Sequence, residues 1–269
     1  MQARQRSYKA AEPLGKTEKS EIVALFNSGN IAEIEVRATS MTQCHPDDVF
    51  GWNVLGMCFL QQGNDQQALP NLQQAIILSP LESDIHNNLG VAFMHLGRMD
   101  EAVASYRQAV ELKPDSVAAL TNLGNALNAT GRLQEAAASY RKALELNPAQ
   151  YKTHYNLGNI LKDCGELEEA EACYRAAIAH KPDYADALTN LGLLLNDRGR
   201  PEEAESFAQQ ALLADPNLTE AINLLALLHL TQQNDPTAAL HLIARSLQIE
   251  ARTETKLLFV DCIQRAPAS

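Results

Sequence analysis

The sequence predicts an all-α solenoid of antiparallel helix pairs, on three observations. Pro46, Pro80, Pro114, Pro148, Pro182 and Pro216 follow one another at intervals of 34 residues. Leu55, Leu89, Leu123, Leu157, Leu191 and Leu225 keep that interval, as do Gly56 to Gly192, Ala68 to Ala204 and Ala75 to Ala211, five residues in each of these series. Several series in one register are the signature of a structural repeat. Within each interval the apolar residues fall at helical spacings, as at Leu89, Ala92, Phe93 and Leu96, then Ala102, Tyr106, Ala109 and Val110. Composition agrees: 46% of the 269 residues are hydrophobic, only 5% are aromatic, and Trp52 stands alone. That is enough apolar residue for a core and too little aromatic for an all-β sandwich.

The elements follow in order. Residues 1–14 read as a flexible tail. Residues 15–48 read as a degenerate N-terminal capping repeat that keeps Gly29 and Pro46 but carries Ile34 where alanine is expected. Five well-matched units span 49–218, with position 1 at Val49, Ser83, Val117, Tyr151 and Ala185. In the unit from Ser83, DIHNNLGVAFMHLG forms the first helix and DEAVASYRQAVEL the second. A glycine closes most first helices (Gly63, Gly97, Gly131, Gly165, Gly199), because it takes the left-handed cap conformation at low cost. The proline ends the second helix, since it lacks an N–H and restricts the residue before it. In the fifth unit Phe207 sits one place before the aromatic position, which Ala208 fills, and this predicts a slight rotation of that helix. A degenerate unit covers 219–252. Ala226 replaces glycine there, and a turn one residue longer moves Ala239, Ile243 and Ser246 into the packing positions. Residues 253–269 read as a C-terminal helix, TETKLLFVDCIQR, and a tail.

The pattern resembles the tetratricopeptide repeat family, whose consensus places a large residue, Leu-Gly, Ala, an aromatic, Ala and Pro in this order. The unit from Val49 matches it with Trp52, Leu55, Gly56, Ala68, Ala75 and Pro80. The resemblance covers about seven repeats, from residue 15 to 252. It implies a right-handed superhelix in which each unit needs its neighbours to bury its faces.

Charge and composition exclude several function classes. Lys and Arg number 22 against 33 Asp and Glu, a formal charge of −11. That argues against nucleic acid and polybasic membrane contacts, which need surplus cations. No apolar run approaches the ~20 residues of a membrane helix, and the N-terminus lacks the apolar stretch of a secretory signal. Five cysteines at irregular spacing (Cys44, Cys58, Cys164, Cys173, Cys262) give no zinc or disulfide framework. Reduced thiols in the cytoplasm are the expectation.

No metal, cofactor or catalytic constellation is expected. GNALNATG and GNILKDCG hold packing and capping glycines, not a phosphate loop. The histidines are scattered, and His86 and His154, at position 4, read as parts of an inter-repeat seam. Glu168–Glu169 and Glu202–Glu203 start second helices, where carboxylates favour the positive end of the dipole, and read as solvated caps. The expectation is a protein without catalytic residues.

The surface left for function is the groove that first helices line in the family, at positions 2, 5, 6, 9, 12 and 13. Position 6 carries Asn88, Asn122, Asn156 and Asn190 in four successive units, with Asn125 and Asn159 at position 9 and Asn128 and Asn196 at position 12. A side-chain amide offers donor and acceptor together, so a row of them suits the backbone of an extended peptide. Asp84, Lys152, Tyr155, Asp163 and Asp197 are candidates for side-chain preference. The row resembles the asparagine ladder in the repeat arm of O-linked N-acetylglucosamine transferases. There the arm presents protein substrates to a separate catalytic domain. Val54 and Leu224 replace asparagine at the ends, so the ladder is short. Asparagine at position 6 is also common family consensus, which leaves a used groove and an unexploited one both open.

The family's carboxylate clamp needs Lys and Arg at positions 2, 5 and 6. Position 5 holds Asn53, Asn87, Thr121, Tyr155, Thr189 and Asn223, so a clamp is not expected. The reading is a non-enzymatic module with a protein or peptide partner. Alternatives are the substrate-recognition arm of a glycosyltransferase, methyltransferase or sulfotransferase, and a self-associating scaffold. The C-terminal helix is apolar around a wide arc at Leu257, Leu258, Phe259, Val260, Cys262 and Ile263. This points to a continuing polypeptide or to homo-oligomer contacts there.

Overall fold

The computed structural model describes residues 16–232, 235–250 and 253–265. The tail expected over residues 1–14 lies outside them. Every regular element among the described residues is an α-helix, and the helices alternate between 13 and 14 residues. The chain divides into two compact bodies, residues 1–143 and 144–269, with the boundary in the last turn of one helix.

The first body holds α1 (Lys16–Ser28), α2 (Ile31–Cys44), α3 (Val49–Gln61), α4 (Asp65–Leu78), α5 (Ser83–His95), α6 (Met99–Leu112) and α7 (Val117–Ala129), then α8 (Leu133–Leu146) as far as Ala143. Each turn between first and second helix carries a glycine in the left-handed region, such as Gly97 at φ 74°, where a side chain would be strained. A second glycine series works through absence of volume. A Cβ on Gly90 would lie 2.6 Å from the Tyr106 ring, and one on Gly124 would lie 2.5 Å from Tyr140. The first helix therefore receives the aromatic of its own second helix as a plug in a notch. Ala102, Ala109, Ala136 and Ala143 are fully buried beside these plugs. At the N-terminal end Ile34, in place of alanine, is also fully buried, in a cluster with Ile22, Ala38, Met41, Val54 and Cys58.

The second body holds α9 (Tyr151–Asp163), α10 (Leu167–His180), α11 (Ala185–Asp197), α12 (Pro201–Ala214), α13 (Thr219–Thr231), α14 (Pro236–Ile249) and α15 (Thr253–Arg265). The one-residue shift expected for the second helix of the degenerate unit is present. Second helices in the five good units begin at position 17, whereas α14 begins at position 18, and Ala239, Ile243 and Ser246 are fully buried as expected. The rotation expected for α12 is absent. Ala204, Ala208 and Ala211 are all fully buried, in the same three positions as the other units. The volume that a large residue at Ala208 would fill is taken by Leu224 of the next first helix, whose Cδ2 lies 2.9 Å from where a Gly192 Cβ would be. Phe207 instead lies half-buried under the Arg175 guanidinium, 5.5 Å from its ring centre.

Second helices are also joined by charge. Arg198 and Arg200 reach back from the α11–α12 turn to Glu171 of α10, at 3.0 and 2.9 Å, and Arg175 reaches Glu171 at 2.9 Å and Glu203 at 3.2 Å. Glu168 pairs with Arg198 at 2.7 Å and Glu203 with Arg200 at 2.6 Å. These two carboxylates are thus more than solvated caps: each is one pole of an inter-helix ion pair. Burial works against the Glu171 carboxylate, but hydrogen bonds from Arg175 and Arg200 outweigh it and hold its pKa below the usual carboxylate value.

A candidate peptide-binding face on the first helices

First helices touch successive first helices, α3 to α5 and α5 to α7 in one body, α11 to α13 and α13 to α15 in the other. Their polar positions 5, 6 and 9 therefore meet across neighbouring repeats. In the first body Asn88 Nδ2 donates to Asn53 Oδ1 at 3.0 Å, and Asn122 Nδ2 donates to Asn87 Oδ1 at 3.0 Å. Position 6 of one unit is tied to position 5 of the unit before it. In the second body Asn190 Nδ2 donates to Asn159 Oδ1 at 2.9 Å and to the Tyr155 hydroxyl at 3.3 Å. Tyr174 OH donates to the same Asn159 oxygen at 2.8 Å, and Tyr140 OH donates to Asn125 Oδ1 at 2.6 Å. Asn88, Asn122, Asn156, Asn190, Asn125 and Asn159 are all half-buried.

These bonds set what the amides can offer. A primary amide has two N–H groups and a carbonyl with two lone pairs. The lateral bonds of Asn88 and Asn122 each use one N–H, and they fix the orientation of the remaining N–H and carbonyl. The row is a lateral chain of amides as well as a set of separate groups. The position 5 partners Asn53 and Asn87 are functional neighbours that inspection of residue types at position 6 alone overlooks. Their signal in the sequence is the constant 35-residue offset between polar residues at positions 5 and 6.

The ends of the row behave differently. Val54 is 3% and Leu224 1% exposed, so at both ends position 6 turns into the core. Lys152 is exposed, as are Asp84, Asp163 and Asp197. Tyr155 is half-buried and packs edge-on against Tyr184 at 5.1 Å between ring centres, with Tyr151 also edge-on to Tyr184 at 5.1 Å. The Lys181 ammonium lies over both Tyr151 and Tyr184, at 5.1 and 5.6 Å. A cleft of about 250 Å³ lined by Glu18, Glu21, Arg37, Ser40, Met41, Cys44 and His45 lies on the N-terminal pair, and none of the asparagines borders it.

The position 4 rings form a second recurring arrangement. Trp52 Nε1 donates to the Pro46 carbonyl at 2.8 Å, and His86 Nε2 and His154 Nε2 lie 2.8 Å from the carbonyls of Pro80 and Pro148. Each latches the turn that precedes its own first helix. The two histidines thus belong to the joints between repeats. Among the described residues no group of three or more His, Cys, Asp or Glu is placed to hold a metal ion, and no helix is long and apolar enough to cross a membrane. Among the described residues no disulfide joins the cysteines, and burial, with the charge of Glu35, pushes the Cys58 thiol up to about 11.

Family models described as tetratricopeptide repeat match residues 81–149, 139–172 and 185–218, and one described as TPR repeat matches 158–199. No curated protein matches the sequence significantly. Among solved structures, MamA superposes with a TM-score of 0.58 at 25% identity, covering 60% of this chain and 95% of its own. PilF of Pseudomonas aeruginosa gives 0.70 at 19% identity, over 81% of this chain and 97% of its own. YrrB, described as a TPR protein with an unusual peptide-binding site, gives 0.61 at 19% identity, over 69% and 95%.

Proposed function

The chain belongs to the tetratricopeptide repeat family, and from that premise we propose that it is a protein–protein interaction module whose first helices bind an extended peptide segment through Asn88, Asn122, Asn156 and Asn190. The observation that carries this reading is the lateral amide bonding. Asn88 and Asn122 are held by Asn53 and Asn87, so their free N–H and carbonyl groups are presented without the entropy cost of ordering them at the moment of binding. An amide in that state suits a peptide group, which also pairs one donor with one acceptor. Asn125 and Asn159 are fixed by tyrosine hydroxyls and flank the row. Exposed Asp84, Asp163 and Asp197, against Lys152 and the net charge of −11, favour segments that carry Lys or Arg. Tyr155 supplies an apolar surface beside Asn190. YrrB, with its own peptide-binding site, lends the fold-level support.

The test separates binding from architecture. Peptides selected from a displayed random library on the wild-type protein are titrated against Asn88→Ala with Asn122→Ala, and against Asn53→Ala with Asn87→Ala. Both double variants break the same two lateral bonds, and each is expected to lose similar stability. Removal of the position 6 amides is expected to weaken binding roughly 10- to 100-fold, at about 1 kcal/mol per neutral hydrogen bond. The position 5 variants keep those amides but release their orientation, and should show a smaller loss of about 5-fold, at roughly 0.5 kcal/mol for each side chain to be ordered. Equal binding by all three proteins would reduce these asparagines to scaffolding.

A further inference from the structure

Helix α15 stands in the register of a first helix, since Thr253 follows Thr219 by 34 residues. Phe259, Val260 and Ile263 therefore occupy positions 7, 8 and 11. In α5 those positions are Leu89, Gly90 and Phe93, all buried, with the Tyr106 ring of α6 lying against Gly90. One side of α15 is used in the same way as its counterparts. Cys262 and Thr255 are fully buried, Asn223 Nδ2 donates to Thr255 Oγ1 at 2.8 Å, and Cys262 and Leu258 join the cluster of Ala226, Leu230, Ala239 and Ile243. The opposite side is apolar and open: Leu257 is 66%, Val260 51%, Ile263 53% and Phe259 37% exposed.

We propose that this face is a dimer contact, in which α15 pairs antiparallel with α15 of a second copy of the chain. The shape favours a copy over another repeat-type second helix. Gly56, Gly90, Gly124 and Gly158 each leave a notch for a large side chain, whereas Val260 fills that position and makes the surface a ridge. Leu257, Val260 and Ile263 recur every three residues along it. In an antiparallel pair centred on Val260, each Leu257 meets Ile263 of the partner subunit and Val260 meets its own copy. Such a self-matching arrangement is what a two-fold interface requires. Charge points the same way. The chain carries −11 overall, but α15 balances Lys256 and Arg265 against Glu254 and Asp261. Two copies can approach there without the repulsion that opposes contact elsewhere. A pair of 13-residue helices falls at or below the low end of specific interfaces, about 1,200 Å² in total, so association in the micromolar range is expected.

The proposal does not rest on the peptide-binding reading, and its test reads mass instead of peptide affinity. Sedimentation equilibrium between about 5 and 200 μM, centred on micromolar affinity, should show a monomer–dimer equilibrium. Leu257→Glu with Val260→Glu should be monomeric throughout with an unchanged circular dichroism spectrum, because both side chains are more than half exposed. A second variant guards against misfolding. Val260→Cys, in a background with Cys44→Ser and Cys164→Ser, should form a disulfide-linked dimer on mild oxidation, while Leu213→Cys in the same background, at a site 85% exposed on α12, should not. A wild-type chain that is monomeric across the range would overturn the proposal, whether another helix or nothing covers the face. So would a dimer that survives the double glutamate variant.

Discussion

Among the described residues the hydroxyl of Tyr106 is buried without a hydrogen-bond partner, whereas Tyr140 donates to Asn125 and Tyr174 to Asn159. The three tyrosines hold the same repeat position, and the difference lies opposite them. Position 9 is Asn125 and Asn159 in two units but Val91 in the third. A buried hydroxyl with nothing to bond costs free energy, while a paired one contributes about 1 kcal/mol. Tyr140→Phe is therefore expected to destabilise the protein by about 1 kcal/mol, and Tyr106→Phe to be neutral or slightly stabilising. Val91→Asn should add stability only where Tyr106 keeps its hydroxyl. Urea midpoints of wild type, the three single variants and Val91→Asn with Tyr106→Phe decide it, and equal losses for both Tyr→Phe changes would contradict the assignment. The residue scale also shows why the amide row stops. Leu224 leaves the ladder because it fills the space that Ala208 leaves beside Gly192, so a missing aromatic in one unit removes an asparagine from the next.

Helices and their limits were legible in the sequence because prolines and glycines punctuate each unit, and the turn glycines sit where the left-handed conformation is needed. The longer turn before α14 could be read from the shift of Ala239, Ile243 and Ser246, which kept their mutual spacing. The packing of α12 was not legible, since the side chain that compensates for Ala208 comes from another helix 16 residues further on. The lateral bonds were hidden for a similar reason. Position 5 varies among Asn, Thr and Tyr, and only a known separation between first helices reveals that Asn53, Asn87 and Tyr155 reach position 6 of the following unit. Between second helices the same limit applies to ion pairs. Glu171, 13% exposed, collects Arg175, Arg198 and Arg200. Its folded pKa is lowered, so its contribution is complete above the ordinary value of 4.5 and disappears as pH falls below it. Glu171→Gln should thus be less stable than wild type at pH 7, and the two should converge as acid protonates the carboxylate. Thermal melts across pH 2 to 7, a range set by carboxylate titration, would show parallel curves if the network contributed nothing.

Across the molecule, stability in a repeat array is a sum of unit terms and nearest-neighbour terms. Interior pairs such as α5 and α6 have neighbours on both sides, whereas among the described residues α1 packs chiefly on α2, and α15 on α13 and α14. Hydrogen exchange should therefore be fastest in α1–α2 and α14–α15 and slowest in the interior helices of each body, with local opening energies graded toward the ends. A flat protection profile would mean that the chain opens as a single cooperative unit. The same unequal distribution bears on recognition, because Asn88 lies on α5, which α3 and α7 flank on both sides.

Trp52 is the sole indole of the chain, and its ring nitrogen is bound to the Pro46 carbonyl at the joint between α2 and α3. Its emission therefore watches one seam of the first body alone, while far-ultraviolet ellipticity averages over every helix. Where the two signals part company during denaturation, the gap between them measures how far melting travels along the array before it meets a more resistant repeat.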